Sequence, residues 1–280
     1  MIELRNLSKK YDHFLAVDNL NLTIETGEFF GLLGPNGAGK TTTIGMLSTL
    51  LLPTEGEVLI DGEKLSRQNN QLKRKLSVVT QEYSMRQDMN MDEVREYQGR
   101  LYYMPLKKIR ERSEELLEFC GLIDFRKRTV RKLSGGMKRK LMVCRALLTE
   151  PEILLLDEPT AGMDALARRQ MWNLLKQLNQ QKLTILLTTH YMEEAETLCD
   201  RVGFMCDGVL EETDAPRSMI EMLGRYTVDE VCPGGMKNHY FHRKEEAIQF
   251  LSDCPQETSL RSTTLEDVFL EKVGRQLERK

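Results

Sequence analysis

The feature that most constrains this chain is a glycine-rich segment between an apolar run and a helical pattern. Residues 28–33 are typical of a buried strand, and apolar residues recur at helical spacing over residues 43–51. A strand that turns through glycines into a helix presents free N–H groups and a helix dipole to phosphate. The segment has the spacing Gly-x-x-x-x-Gly-Lys-Thr and consists of Gly34, Pro35, Asn36, Gly37, Ala38, Gly39, Lys40, Thr41 and Thr42.

Two side chains of this segment have distinct predicted roles. Lys40 can reach the terminal phosphates of a nucleotide, and the Thr41 hydroxyl can bind a magnesium ion. The glycines let the backbone bend tightly and approach the phosphate oxygens closely. The segment therefore predicts a nucleotide site rather than a plain glycine-rich turn, but it does not decide which class of P-loop protein carries it.

Composition and charge exclude several other classes of protein. The content of hydrophobic residues is 40% and that of charged residues is 30%, which is typical of a soluble globular protein. The net charge of −3 does not indicate the basic surface that nucleic-acid binding requires. The six cysteines show no Cys-x-x-Cys spacing, which favours reduced thiols over disulfides or zinc. No apolar stretch approaches the roughly 18 residues that read as a membrane span. We therefore expect a cytoplasmic protein without a nucleic-acid partner.

The order of apolar runs predicts an α/β fold, a P-loop NTPase core with a mainly parallel sheet. Strand patterns at residues 2–7, 14–20 and 22–26 predict an N-terminal antiparallel β subdomain. Residues 85–148 are helical in pattern and predict an inserted helical subdomain. The predicted ATP-binding domain covers residues 1–223, and residues 224–280 form a small C-terminal α/β appendage.

Polar residues lie at the ends of three further predicted strands. Parallel α/β sheets bind their ligands at the carboxyl ends of the strands. Asp157 and Glu158 end one apolar run; the first can hold magnesium through water, and the second can polarise an attacking water. Gln81 ends another strand and can also ligate magnesium. His190 ends the third and can hydrogen-bond a terminal phosphate. Taken alone, Gln81 and His190 are equally compatible with ordinary structural roles.

A second glycine turn opens a predicted helix within the helical subdomain. Its residues Ser134, Gly135 and Gly136 form another possible anion site, far along the chain from the first. Two such turns indicate either two nucleotides or one nucleotide shared between two copies.

Together these segments resemble the nucleotide-binding subunit of an ABC transporter, over about residues 2–220. Residues 34–41 resemble its Walker A loop, residues 153–158 its Walker B strand, residues 133–137 its signature motif and residues 160–164 its D-loop. Gln81 and His190 resemble its Q-loop and H-loop residues. Tyr11, which the pattern places in a polar turn, falls where the family has an adenine-stacking aromatic. Met137 stands where the family usually has glutamine, beside a retained Ser-Gly-Gly.

The resemblance implies a head-to-tail dimer in which the signature turn of one copy covers the ATP of the other. It implies ATP and Mg²⁺ at the site, with Glu158 and His190 catalytic and with Thr41, Gln81 and Asp157 around the metal. The implied partners are a transmembrane permease and a second copy or a homologous ATPase subunit, so we expect a peripheral protein at the cytoplasmic face of the cell membrane. Residues 189–196 and 264–274 resemble the exporters that include daunorubicin-resistance and sodium-efflux ATPases.

The main alternative is a soluble ABC-type ATPase that acts in translation or DNA repair. Such proteins carry two of these domains or a long coiled coil, and this sequence has neither. The lack of an Asn-Lys-x-Asp motif argues more strongly still against a P-loop GTPase. We expect the permease contact in the groove between the core and the helical subdomain, around residues 81–104. The sequence leaves open whether an apolar set there forms a docking surface or the subdomain core: Met85, Met89, Met91, Tyr102, Tyr103 and Met104.

Overall fold

Strands and helices alternate along the computed structural model, which describes the backbone of residues 1–277 and the side chains of residues 1–272. The strands are β1 (Ile2–Tyr11), β2 (Phe14–Ile24), β3 (Phe29–Leu33), β4 (Glu55–Ile60), β5 (Glu63–Lys64), β6 (Leu76–Val79), β7 (Ile153–Asp157), β8 (Thr184–Thr189), β9 (Arg201–Cys206), β10 (Val209–Asp214), β11 (Tyr226–Cys232), β12 (Gly235–Phe241) and β13 (Thr258–Ser262). The helices are α1 (Lys40–Leu47), α2 (Asn70–Lys75), α3 (Met91–Leu101), α4 (Leu106–Phe119), α5 (Gly135–Leu147), α6 (Ala165–Gln180), α7 (Met192–Leu198), α8 (Pro216–Leu223), α9 (Lys244–Asp253) and α10 (Leu265–Leu277).

The central sheet has six strands in the order β10-β9-β3-β8-β7-β6. Every neighbouring pair in it is parallel except the β9–β10 hairpin. A separate four-stranded sheet, β2-β1-β4-β5, is antiparallel throughout. The predicted α/β fold with a mainly parallel sheet and an antiparallel β subdomain is confirmed.

The unbroken apolar runs of the central sheet follow from burial on both faces. Leu154 and Leu156 of β7 join the core under the helices, whereas Ile153 and Leu155 join the core under the antiparallel sheet and α1. Because side chains alternate along a strand, both sets must be apolar when both faces are covered. This packing fixes the position of the carboxyl end of β7, and therefore the position of Asp157, the first acid of the predicted Walker B strand.

The antiparallel sheet differs from the sequence prediction in two places. The strands expected at residues 14–20 and 22–26 are one continuous strand, β2, whose pairing with β1 contains register shifts. Tyr11 is the last residue of β1 and pairs with Phe14, whereas the pattern had placed it in a polar turn. The actual turn is only Asp12 and His13, and Asp12 takes the left-handed conformation with a φ of 45°.

The helical subdomain consists of α3, α4 and α5, which pack on one another. Helix α3 starts with a reciprocal capping box formed by Asn90 and Glu93. Helix α4 is followed by Gly121, whose φ of 66° is typical of the residue that ends a helix. No helix among the described residues has the length and apolarity that a membrane crossing requires. The six cysteines, all in the described part of the chain, form no disulfide.

The C-terminal segment adds a three-stranded antiparallel sheet, β12-β11-β13, with α9 packed on it. Helix α10 returns to the central part of the molecule, where Leu265 and Val268 join a core with Leu33 and Phe204. The Leu265 N–H donates to Glu196 Oε2 of α7 at 3.0 Å. The C-terminal segment is therefore in direct contact with the helix that follows His190.

Candidate nucleotide-binding site

The phosphate-loop segment connects β3 to α1 through two positions that only glycine can occupy. Gly34 and Gly39 have φ values of 156° and 103°. A Cβ atom at Gly34 would lie 2.0 Å from the Met205 carbonyl oxygen, and one at Gly39 would lie 2.4 Å from the Ala16 carbonyl oxygen. These contacts explain why the motif needs glycine, since both the backbone conformation and the available space exclude a side chain.

Lys40 lies at the centre of this loop. Its side chain is buried, and Nζ donates hydrogen bonds to the carbonyl oxygens of Gly34 at 2.8 Å and Pro35 at 2.9 Å. Nζ also lies 3.9 Å from Glu158 Oε1. Burial lowers the pKa of Lys40, whereas the nearby carboxylates of Glu158 and Asp157 raise it. The ammonium group is thus held inside the loop, where a phosphate would meet it.

Thr41 and Asp157 come together at the same end of the sheet. Asp157 Oδ1 accepts hydrogen bonds from Thr41 Oγ1 at 3.2 Å and from Thr188 Oγ1 at 2.6 Å. No group of three or more His, Cys, Asp or Glu residues in the described part of the chain is arranged to hold a metal ion. A hydroxyl beside one carboxylate is nevertheless the donor set that Mg²⁺ uses when phosphate oxygens and waters complete its shell.

Glu158 follows β7 in a left-handed conformation, with a φ of 46°. Its N–H donates to the Thr188 carbonyl oxygen at 3.0 Å. Its Oε1 atom lies 3.2 Å from His190 Nδ1. That ring nitrogen is nevertheless buried without an aligned hydrogen-bond partner. The strained backbone turns the carboxylate toward Lys40 and the ring, and unusual backbone angles of this kind are concentrated at functional sites.

A cavity of about 480 Å³ lies over the loop. Tyr11 and Gln81 line it as predicted, together with Phe14, which the sequence prediction missed. Gln81 lies two residues beyond the end of β6 at Val79, so its predicted position as a strand end was wrong by two residues. The residues that line the cavity are Tyr11, Phe14, Ala16, Asn36, Gly37, Gly39, Lys40, Thr41, Thr42, Gln81 and Glu158.

The second glycine turn lies outside this cavity. Ser134 is the N-cap residue of α5, and its side chain accepts a hydrogen bond from the Met137 N–H at 3.2 Å. The predicted helix start is therefore confirmed. Ser134, Gly135 and Gly136 are all described by the structure, and none of them lines the cavity over the phosphate loop. In a single chain the two turns do not form one site.

Glu194 is a buried acid that the sequence prediction missed. It is fully buried on α7, and its Oε1 atom accepts hydrogen bonds from Thr160 Oγ1 at 2.8 Å and Trp172 Nε1 at 3.0 Å. Burial raises the pKa of Glu194, and its Oε2 atom has no hydrogen-bond partner. Glu193 and Glu196 are acids close to it in the sequence, so nothing in the local sequence pattern indicates that Glu194 is the one that is buried.

Replacing Glu194 with glutamine should change how the stability of the protein depends on pH. A carboxyl whose pKa is raised by folding stabilises the fold below its ordinary pKa, and this contribution is lost as the pH rises through the raised value. The free energy of unfolding of the wild type should therefore fall relative to that of Glu194→Gln between pH 5 and pH 8. Urea unfolding at both pH values measures this, with the exposed Glu193→Gln as control. A difference between wild type and Glu194→Gln that does not change with pH would contradict the assignment.

Comparisons of the sequence with known proteins agree with this geometry. Residues 17–161 match the family described as ABC transporter. Nod factor export ATP-binding protein I of Cupriavidus metallidurans is 38% identical, over 95% of this chain and 85% of that protein. The linearmycin resistance ATP-binding protein of Bacillus subtilis is 34% identical, over 86% of this chain and 77% of that protein.

Solved structures give the same result. A dimeric ATP-binding cassette in a post-hydrolysis state, bound to ADP and Pi, is similar with a TM-score of 0.69 and 30% identity, over 77% of this chain and 98% of that chain. A Clostridium perfringens protein that is part of an ABC transporter complex is similar with a TM-score of 0.71 and 25% identity, over 78% of this chain and 89% of that chain. The chain therefore belongs to the ABC transporter family, as one of its ATP-hydrolysing cassettes.

Proposed function

We propose that this chain powers export by a separate membrane permease, as one of two ATP-binding cassettes that pair head to tail. The observation that carries the proposal is the separation of the two glycine turns, since residues 134–136 do not line the cavity over this chain's own phosphate loop. A turn that opens a helix with free N–H groups suits a phosphate held by another molecule. The dimeric state of the related cassette bound to ADP and Pi supports this pairing.

The direction of transport is proposed from the relatives. One is named for export of Nod factor, and another is named for resistance to linearmycin, which export of that compound would provide. These names also support a membrane partner rather than a role in translation or DNA repair. On this basis the protein works as a peripheral subunit at the cytoplasmic face of the membrane. Residues 1–223 form its ATP-binding domain, and residues 224–280 form an appendage.

Within the site, each side chain has a role that follows from its position. Lys40 binds the terminal phosphates from inside the loop, and Tyr11 stacks on the adenine at the far end of the cavity. Glu158 accepts a proton from the attacking water, and His190 hydrogen-bonds the terminal phosphate. Thr41, Asp157 and Gln81 would hold Mg²⁺. When bound there, Mg²⁺ neutralises charge that develops on the phosphate oxygens.

The permease contact is proposed on the outer surface of the helical subdomain. The structure divides the apolar set of residues 81–104: Met85 and Met91 are buried in the core, whereas Tyr103 is 89% exposed. Tyr97 and Leu101, one turn apart on α3, are also exposed. We give the name α3 face to the exposed apolar residues of α3, of the turn after it and of the start of α4: Tyr97, Leu101, Tyr103 and Leu106. Exposed apolar residues grouped in this way are typical of a protein interface.

The test is the recovery of a membrane partner. The protein, isolated from native membranes, should bring with it a protein that spans the membrane several times. The double variant Tyr97→Ser, Leu101→Ser should lose most of that partner, because the apolar contact of the α3 face is removed. Met236→Ser, which changes an exposed apolar residue of the appendage, is the matched control. Recovery only with ribosomes or DNA would overturn the proposal in favour of the alternative ATPases.

A further inference from the structure

A buried arginine binds the segment that carries Gln81 to α5, the helix that begins at the second glycine turn. Arg139 lies one turn into α5 and is 2% exposed. Its Nη1 atom donates to the Thr80 carbonyl oxygen at 2.7 Å, and its Nη2 atom donates to the Gln81 carbonyl oxygen at 2.9 Å. The planar guanidinium group holds its donors in a fixed arrangement, so two consecutive carbonyls are fixed together.

The backbone around Gln81 depends on this contact. Strand β6 ends at Val79. In the part of the chain that the structure describes, residues 80–84 take part in no backbone–backbone hydrogen bond outside the regular elements. Side chains of α5 supply bonds to this backbone instead. A change in the position of Arg139 therefore changes the position of Gln81, and the reverse also holds.

A second contact leads from the same segment to the start of α5. The Tyr83 hydroxyl donates to the Gly135 carbonyl oxygen at 3.3 Å. The Tyr83 ring centroid lies 5.2 Å from the Arg139 guanidinium carbon, which is within the range of a cation–π contact. Gln81, Arg139, Tyr83 and Gly135 thus form one continuous set of contacts between the cavity and the second glycine turn.

The charge of Arg139 is also within electrostatic reach of the acids beside the phosphate loop. Burial lowers the pKa of Arg139, while Tyr83, Asp157 and Glu158 raise it. A buried guanidinium group remains charged at neutral pH. The arginine is therefore sensitive to the charge that ATP brings to the cavity as well as to the position of Gln81.

We propose that Arg139 is a positioning residue that couples Gln81, beside this chain's ATP, to residues 134–136, which cover the ATP of the partner copy. When Gln81 moves toward a bound nucleotide, Arg139 carries the start of α5 with it. Each chain thereby links the two ATP sites of the dimer. The inference rests on the proposed head-to-tail pairing, because only in that pairing do the two ends of this set of contacts face different nucleotides.

The same helix offers a matched control. Arg145 also lies on α5, and it donates from Nη1 to the Ser84 carbonyl oxygen and from Nη2 to Ser84 Oγ, each at 2.8 Å. It therefore binds the same segment through two bonds, but three residues beyond Gln81. Arg139→Met and Arg145→Met remove comparable contacts, and only the first releases Gln81.

The first experiment compares ATP hydrolysis by the two variants. Arg139→Met should lower kcat about tenfold, because small misplacements at a reacting site cost this much or more. Its Hill coefficient for ATP should fall toward one, while ATP binding by the monomer stays within about twofold of the wild type. Arg145→Met should keep the kcat and Hill coefficient of the wild type. If Arg139→Met keeps them too, or if both variants lose them equally, the proposal is overturned.

The second experiment tests the coupling inside one chain, by hydrogen exchange with Mg-ATP at a concentration where light scattering shows a monomer. In the wild type and in Arg145→Met, ATP should slow exchange in residues 80–84 and 134–138 together. In Arg139→Met, only the first segment should respond. A wild-type response confined to residues 80–84 would overturn the proposal.

This second readout separates the inference from the proposed function. If ATP slows exchange in both segments but no ATP-dependent dimer forms, the proposed head-to-tail pairing is wrong. The coupling from Gln81 to the start of α5 within one chain is then still supported. If thermal melting shows that Arg139→Met does not fold, Arg139→Lys takes its place. Lysine keeps the charge and the stem but lacks the rigid fork of the guanidinium group, so it holds the two carbonyls less firmly, and a weaker response of residues 134–138 than in the wild type is expected.

Discussion

Replacing Glu158 with glutamine should leave ATP binding intact and lower the turnover of ATP by about a hundredfold or more. The amide keeps the size of the side chain, but it cannot take a proton from the attacking water. It also lacks the charge that faces Lys40 Nζ at 3.9 Å. In the proposed pair ATP holds the two copies together and hydrolysis releases them, so the variant should accumulate as an ATP-bound dimer.

Three measurements check this prediction: ATP affinity by fluorescent-nucleotide titration, phosphate release at saturating ATP, and mass by light scattering with and without ATP. The control is Glu193→Gln, which removes an exposed carboxylate from α7. That variant should hydrolyse ATP as the wild type does. Unchanged hydrolysis by Glu158→Gln would show that another group accepts the proton.

Replacing Gly135 with aspartate should abolish hydrolysis by a different route. In the proposed pair the new carboxylate would stand at the turn that faces the partner's phosphates, where two like charges about 4 Å apart repel by about 4 kcal/mol at an effective dielectric constant of about 20. That energy corresponds to roughly a thousandfold loss in pairing. Binding of ATP by the monomer should stay within about twofold of the wild type, because this turn does not line the chain's own cavity.

The matched control for this variant is Gly135→Ala, which separates size from charge. A Cβ atom at this position would lie 3.4 Å from the Tyr83 hydroxyl oxygen, an ordinary contact distance. The alanine variant should therefore retain most of the ATP-dependent pairing measured by light scattering. Equal losses in the alanine and aspartate variants would mean that the defect is steric and that no phosphate lies against the turn.

The parts of the molecule that could be predicted from sequence are those that local pattern determines. Helix α6 is such a part, because Asp164 caps its start and an amphipathic pattern continues to its last residue. The Walker B strand was recognisable since burial on both faces requires an unbroken apolar run. The left-handed backbone at Glu158 was not predictable, because non-glycine residues rarely adopt it.

The parts that sequence missed depend on partners far along the chain. In the sequence, Arg139 is one of several consecutive basic residues. Its contact with the carbonyl groups of residues 80 and 81 is formed only in the folded chain. Glu194 is one acid among several until Thr160 and Trp172 approach it. Strand β12 was missed because none of its residues is fully buried and they show no apolar alternation. Helix α8 could have been found, since Pro216 stands at its first position.

In the proposed pair, the phosphate loop of residues 34–42 is half of a site whose other half belongs to a second copy. The most direct test mixes two inactive variants, Lys40→Ala, which lacks the phosphate-binding lysine, and Gly135→Asp. A mixed pair contains one site in which both halves are intact. At chain concentrations high enough to offset the weaker pairing of Gly135→Asp, equal amounts should restore up to about a quarter of the wild-type hydrolysis, because half of the pairs are mixed and one of their two sites works. A mixture that stays as inactive as either variant alone would show that the two halves of the site do not come from two different copies.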